Sequence, residues 1–188
     1  MYHNERGTCV KYIFGRGLMK KTLIIVSGMP ATGKTRFADW LSEEMSVPLL
    51  SLDEVWEKAG TSAIPFAQYW TLCEDMMKSS SQFIIEFGFD NEIKPVIDGL
   101  VKKYNYHTIN VHFDTSFEIA HRRFNDRRLY EMGGSKPQIS LEQYMNISKQ
   151  DKDFCFGDNI IYVDTTDFSS VSYTNITKQI QQNTNGVV

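Results

Sequence analysis

No stretch of this chain approaches the roughly 18 consecutive apolar residues of a membrane span, and residues 1–20 lack the long apolar centre of a secretory signal. A soluble, cytoplasmic protein with no membrane partner is expected. Cysteine is scarce. Cys9, Cys73 and Cys155 are odd in number, scattered and in no C-x-x-C spacing, which fits a reducing compartment better than a disulfide framework. The four histidines, His3, His107, His112 and His121, show neither H-E-x-x-H nor Cys/His ligand spacing, so zinc chemistry has no support. His112 reads as a residue alternating outward from a strand. An excess of positive charge is missing too. A net charge of −3 argues against non-specific nucleic-acid binding and leaves only a local basic patch for such a contact. No internal repeat divides the chain, and 188 residues with 41% hydrophobic content read as one domain around one core.

Against these absences one stretch stands out, Leu23-Ile24-Ile25-Val26-Ser27-Gly28-Met29-Pro30-Ala31-Thr32-Gly33-Lys34-Thr35. An apolar β-type run leads directly into G-x-x-x-x-G-K-T, with a helical pattern after it. Glycines at both ends let the backbone curl so that successive N–H groups face a polyphosphate. The helix starting near Gly33 adds the positive end of its dipole. Lys34 is then placed to reach the β- and γ-phosphates, and Thr35 to ligate Mg²⁺. The nucleotide-binding set is therefore Gly28, Met29, Pro30, Ala31, Thr32, Gly33, Lys34, Thr35 and Arg36. With no N-K-x-D segment to read guanine, ATP is favoured over GTP.

Along the chain, residues 1–18 carry no sustained period and read as an extension, with Met19 as the natural start. Phe37, Trp40, Leu41 and Met45 recur at helical spacing. Pro48–Leu52 is a second strand ending in Asp53-Glu54 at the sheet edge where doubly wound folds bind ligands. Phe66, Tyr69, Trp70, Cys73, Met76 and Met77 mark a helix packed on a sheet. Phe83–Phe87 is a third strand with Glu86 near its end, and Pro95 suits the first turn of the next helix. Tyr106–Phe113 is a fourth strand. Asp114-Thr115-Ser116 then caps a helix that carries Arg122, Arg123, Arg127 and Arg128. Gly133-Gly134 opens a flexible connection into a polar helix, Ser140–Lys152, which reads as surface lid. Ile160–Asp164 is a fifth strand, and Val171–Ile180 a last amphipathic helix before a frayed tail at 183–188. Strands alternating with helices imply a parallel sheet with right-handed crossovers.

Phosphoryl transfer needs an aligned acceptor, neutralised phosphate charge and exclusion of water. Lys34 and the loop amides suit the donor, Thr35 with a carboxylate suits Mg²⁺, and the arginine cluster suits closure over the developing charge. Of the two carboxylates, Asp53 is assigned to the acceptor hydroxyl. Glu86 is assigned to the metal's waters, because its strand should lie beside the loop strand. A helix cap for Asp53 and a solvated helix face for the arginines are the plain alternatives.

From about Met19 to Ile180 the chain resembles the P-loop kinases of nucleoside-monophosphate-kinase type. It is closer still to the ATP-binding AAA-domain group of small kinases that includes zeta-toxin-like and chloramphenicol-phosphotransferase-like enzymes. The matching pieces are Gly28–Thr35, Ser51-Leu52-Asp53, Ile84-Ile85-Glu86, Arg123-Phe124 with Arg127, and Val163-Asp164-Thr165-Thr166. The resemblance implies a three-layer α/β P-loop NTPase fold with a five-stranded parallel sheet in order 2-3-1-4-5, over residues 19–182. A small lid would span about 123–152, with Arg123 and Arg127 as lid arginines. Asp53 and Glu86 would face substrate or metal, and Asp164, Thr165 and Thr166 would flank the adenine. An ATP- and Mg²⁺-dependent kinase for a small-molecule acceptor is the expected activity. An ATP-gated binding module or plain ATPase, and a 5′-end nucleic-acid kinase, are the alternatives.

Overall fold

The computed structural model describes residues 20–58, 66–88, 91–130 and 137–185. The expected extension at 1–18, the Gly133-Gly134 connection and the last three residues lie outside these. The chain runs β1 (Thr22–Gly28), α1 (Lys34–Met45), β2 (Leu49–Ser51), α2 (Leu52–Lys58), α3 (Phe66–Ser79), β3 (Gln82–Glu86), α4 (Lys94–Tyr104), β4 (His107–Asp114), α5 (Phe117–Tyr130), α6 (Leu141–Asp153), β5 (Ile160–Asp164) and α7 (Tyr173–Asn185). The strands form one sheet in the order β2-β3-β1-β4-β5, parallel at every pairing. Among the described residues no helix is long and apolar enough to cross a membrane.

All seven residues of β1 are buried, as a central strand covered by helices on both faces requires. Strand alternation sorts them. Leu23 and Ile25 join Phe83 and Ile85 beneath Tyr69, Cys73, Met77 and Ile97 of α3 and α4. Ile24 and Val26 join Ile84, Ile109 and Val111 beneath Phe37, Leu41, Ile176 and Ile180 of α1 and α7. Each such side chain is worth about 1.5–3 kcal/mol when fully buried. The stripes Phe37/Leu41 and Tyr69/Cys73/Met77 therefore fix one helix to each face.

A third cluster decides where the site lies. Met29 and Ala120 pack with Tyr144, flanked by Phe117, Phe124 and Ile139, and so join the phosphate loop to α5 and α6. Helix α6 begins with a reciprocal capping box between Ser140 and Gln143. The segment expected as surface lid thus has a buried stripe, Tyr144, Ser148 and Asp151. Residues of these types at i, i+4 and i+7 leave no hydrophobic signature to read.

His112 also differs from expectation, because β4 has no outward face. Its ring is 2% exposed, with Nδ1 2.9 Å from Ser27 Oγ. Asn110 Nδ2 donates to that same oxygen at 2.8 Å and to the Ile25 carbonyl at 3.1 Å. With Ser27 Oγ assigned as donor to Nδ1, the ring proton is placed on Nε2. Burial holds the imidazole below its ordinary pKa. This network secures the residue just before Gly28.

Gly28 itself has φ +137°, and a Cβ there would run into the carbonyl oxygen of Phe113 on the neighbouring strand. Gly28→Ala is expected to cost about 3 kcal/mol through strain and clash, read as a lowered midpoint in a urea melt. A midpoint equal to wild type would show that the strand pair can open there.

Candidate functional site

The parallel sheet brings all five strand ends to one edge, and β1, in the middle, delivers the loop Gly28–Thr35 to the centre of that edge. Ala31 (φ +66°) and Gly33 (φ +90°) take left-handed conformations within it, the kind of backbone reversal that builds an anion-binding concavity. Thr32 Oγ1 donates to the Met29 carbonyl at 2.8 Å and closes the turn. The twelve-residue α1 starts at Lys34, so its positive end faces the concavity. Met29 is fully buried and turns away into the cluster with Ala120 and Tyr144.

Behind the loop stands Glu86, at the end of β3 and 1% exposed. Thr35 Oγ1 donates to its Oε1 at 3.1 Å, Ser51 Oγ to its Oε2 at 3.1 Å, and Lys34 Nζ lies 3.8 Å from Oε1. Burial pushes the Glu86 carboxyl above its usual range, with the Asp53 charge adding to the rise, while Lys34 and the two hydroxyls pull it back. A buried acid in this balance is suited to a cation arriving beside it. Parallel register explains the assembly, since Ser51 of β2 and Val26 of β1 both pair with Glu86.

In front of the loop is a cleft of about 910 Å³. Sheet order divides its wall. On the β2/β3 side lie Leu52, Asp53, Phe87 and Gly88, and on the β4/β5 side lie Arg36, Arg123, Phe168, Val171 and Tyr173. Phe124 and Arg127 reach the cleft from α5, and Pro30, Ala31, Gly33, Lys34 and Thr35 form its floor. Asp53 is in the first turn of α2 rather than at a strand end, because β2 stops at Ser51. Its place in the cleft wall is unaffected by that shift.

Arg123 and Arg127 are held differently. Arg123 donates to the carbonyls of Thr165 at 2.7 Å and Thr166 at 3.0 Å, and its guanidinium lies 3.9 Å from the centre of the Phe168 ring. Arg127 sits 5.9 Å from the Phe124 ring. Arg128 is drawn off to the Pro137 carbonyl at 2.9 Å. Asp164 accepts from the Thr166 amide at 2.8 Å. Asp164, Thr165 and Thr166 therefore brace the wall through Arg123.

Two residues that sequence reasoning passed over belong here. Phe168 leaves no signal in a polar loop. Tyr144 sits alone on a polar helix, yet its hydroxyl donates to the Pro30 carbonyl of the phosphate loop at 2.7 Å, and burial pushes its phenol well above the ordinary value. Tyr144→Phe keeps the packing and leaves that carbonyl without this donor. It is expected to cost about 1–2 kcal/mol of stability and to weaken nucleotide binding. Calorimetric titration of the folded variant checks this, and an affinity equal to wild type would detach α6 from the loop's function.

A parallel 2-3-1-4-5 sheet with helices on both faces and a glycine-framed loop after its central strand is the three-layer α/β P-loop NTPase fold. No family profile and no curated protein sequence matches the chain. Among solved structures it is similar to a candidate kinase from Chloroflexus aurantiacus, with TM-score 0.74 and 21% identity over 92% of this chain and 100% of that one. A gluconokinase from Sinorhizobium meliloti aligns with TM-score 0.57 and 10% identity over 87% of this chain and 91% of that one. Mycobacterium tuberculosis APS kinase, in complex with AMPPNP and APS, aligns with TM-score 0.55 and 11% identity over 86% and 98%. At these identities the likeness is one of fold.

Proposed function

We propose that this protein is an ATP-dependent phosphotransferase that moves the γ-phosphoryl group to a hydroxyl or phosphate of a small-molecule acceptor. Within the fold class, the reading is of the nucleoside-monophosphate-kinase type, near the zeta-toxin-like and chloramphenicol-phosphotransferase-like enzymes. The observation that carries it is the Lys34–Thr35–Glu86–Ser51 constellation with Asp53 on the cleft wall beside it. The solved structures of similar fold include a gluconokinase and an APS kinase bound to AMPPNP and APS, which supports the same class of reaction.

The loop and the α1 N-terminus hold the donor phosphates, and the Lys34 ammonium offsets charge on the transferring group. Thr35 and Glu86 would hold Mg²⁺. Their hard oxygen donors suit an ion that keeps several waters. Bound there, the metal would supply neutralisation of phosphate charge. Asp53 accepts the proton of the acceptor hydroxyl and fixes its line of attack. Arg127, from α5, closes over the phosphates and limits wasteful hydrolysis. Arg123 belongs to the base end of the cleft, together with the Asp164–Thr166 loop.

The test is release of ADP across a panel of antibiotics, nucleosides, sugars and oligonucleotide ends. Release that rises with one class of small hydroxylated compound is the expected result. An identical rate whatever is added would identify an ATPase or a nucleotide-gated module instead.

A further inference from the structure

Ile109, Val111 and Phe113 of β4 pack toward α1 and α7, so strand alternation turns Asn110 and His112, both buried, to the opposite face. Their polar atoms converge on one hydroxyl. Ser27 Oγ, on the residue that pairs with His112 across the β1/β4 register, lies 2.9 Å from the ring's Nδ1 and accepts from Asn110 Nδ2 at 2.8 Å. Asn110 Oδ1 in turn takes the Phe156 amide at 2.9 Å. A second hydrogen bond joins the His112 ring to the backbone of Lys152, in the last turn of α6. That turn is itself fixed, because Lys152 Nζ donates to Asp114 Oδ1 at 2.6 Å and to the Thr115 carbonyl at 2.9 Å. The ring is thus a spacer between an anchored helix end and the residue before Gly28.

Its reach matters because Gly28 pairs with Phe113 one step further along the same two strands, so closely that a Cβ would meet the Phe113 carbonyl oxygen. The phosphate loop starts there. A shift of Ser27 tilts that start, and loop amides serve a polyphosphate only when held within about 0.5 Å of their places. The ring's charge decides the bonding at Ser27. With its proton on Nε2 a neutral ring accepts the Ser27 hydroxyl at Nδ1, whereas a protonated ring is a donor at both nitrogens. Nδ1–H then displaces the Ser27 proton from its acceptor inside a buried network. The groups facing the ring are Asp114 on its own strand, Lys152 and Asp153 on α6, and the Tyr162 phenol on β5, 5.9 Å away between ring centres; β1 presents Ser27. Burial outweighs the pull of Asp114 and Asp153 and lowers the ring's titration. The contribution of the neutral form is therefore whole above the ordinary histidine value of about 6.5 and lost as the pH falls below it.

We infer that His112 is a positioning residue of the phosphate loop, holding Ser27 and the start of the loop in place from α6, so that nucleotide is bound tightly only while the ring is neutral. The inference rests on the nucleotide-donor reading above. AMPPNP with Mg²⁺ is titrated calorimetrically into wild type, His112→Asn and Ser27→Ala at about pH 7.5 and about pH 5, with folding checked by circular dichroism at both. His112→Asn keeps an acceptor near the place of Nδ1 and cannot titrate, and Ser27→Ala leaves the ring no hydroxyl to disturb. Wild type is expected to lose about fivefold to tenfold more affinity on acidification than either variant. The Glu86 carboxyl and the nucleotide's own phosphates are common to all three proteins, and their titration cancels in the comparison. An equal loss in wild type and in whichever variant folds overturns the positioning role and leaves the donor reading standing. No binding by wild type at the higher pH overturns both.

Discussion

Lys34→Ala is expected to lower acceptor-dependent ADP release by about 10²–10³-fold, the scale of removing one preorganised contact to charge that develops in the transition state. Lys34 is 9% exposed at the first position of α1, so it acts where solvent screening is weak. Among the described residues its Nζ lies 3.8 Å from Glu86 Oε1. The variant therefore loses a phosphate contact and also the strongest influence holding the Glu86 carboxyl down. The sheet beneath is built from other residues, and the variant should fold with a circular-dichroism spectrum like wild type. Initial rates of ADP formation read the effect. Near wild-type turnover by a folded Lys34→Ala protein would falsify the placement of the γ-phosphate at this loop.

Asp53→Asn is expected to reduce acceptor phosphorylation by roughly 10²-fold or more, the usual scale of a lost general base, with nucleotide affinity little changed. Asp53 is exposed on the β2/β3 side of the cleft, next to the loop, where an acceptor can meet it. Glu86 lies behind the loop, sealed by Thr35, Ser51 and Lys34. Glu86→Gln should therefore raise the Mg²⁺ concentration needed for half-maximal rate and spare the acceptor's own KM. Rate profiles against Mg²⁺ and against acceptor separate the two. Exchanged phenotypes would invert the roles, and unaffected turnover in both variants would make the two carboxylates structural.

The places of the two acids were partly legible in the sequence, since an acid near a strand end on the ligand edge of a parallel sheet is a local signal. Their unequal burial was not. It depends on β3 pairing with β1 and β2 at once, which sets Glu86 beside Val26 and Ser51, whereas β2 ends early enough for Asp53 to turn outward on α2. The arginines behave likewise. Spacing places Arg123 and Arg127 one turn apart on α5, yet only the loop after β5, folded back over it, gives Arg123 two carbonyls and a ring.

The sequence by itself determined the features that neighbours in the chain can encode. These are the glycine-framed loop between an apolar run and a helix, the alternation of strands and helices, and the apolar stripes of α1 and α3. Each depends on backbone freedom or residue period over a dozen positions or fewer. Tertiary structure decided what those positions face. His112 turned inward because β4 is covered on both sides, and α6 became an anchor of the loop because Tyr144 reaches Pro30 across 114 residues of sequence. Burial on both faces erases the strand's alternation, and a polar stripe carries no hydrophobic period, so neither outcome leaves a local pattern to read.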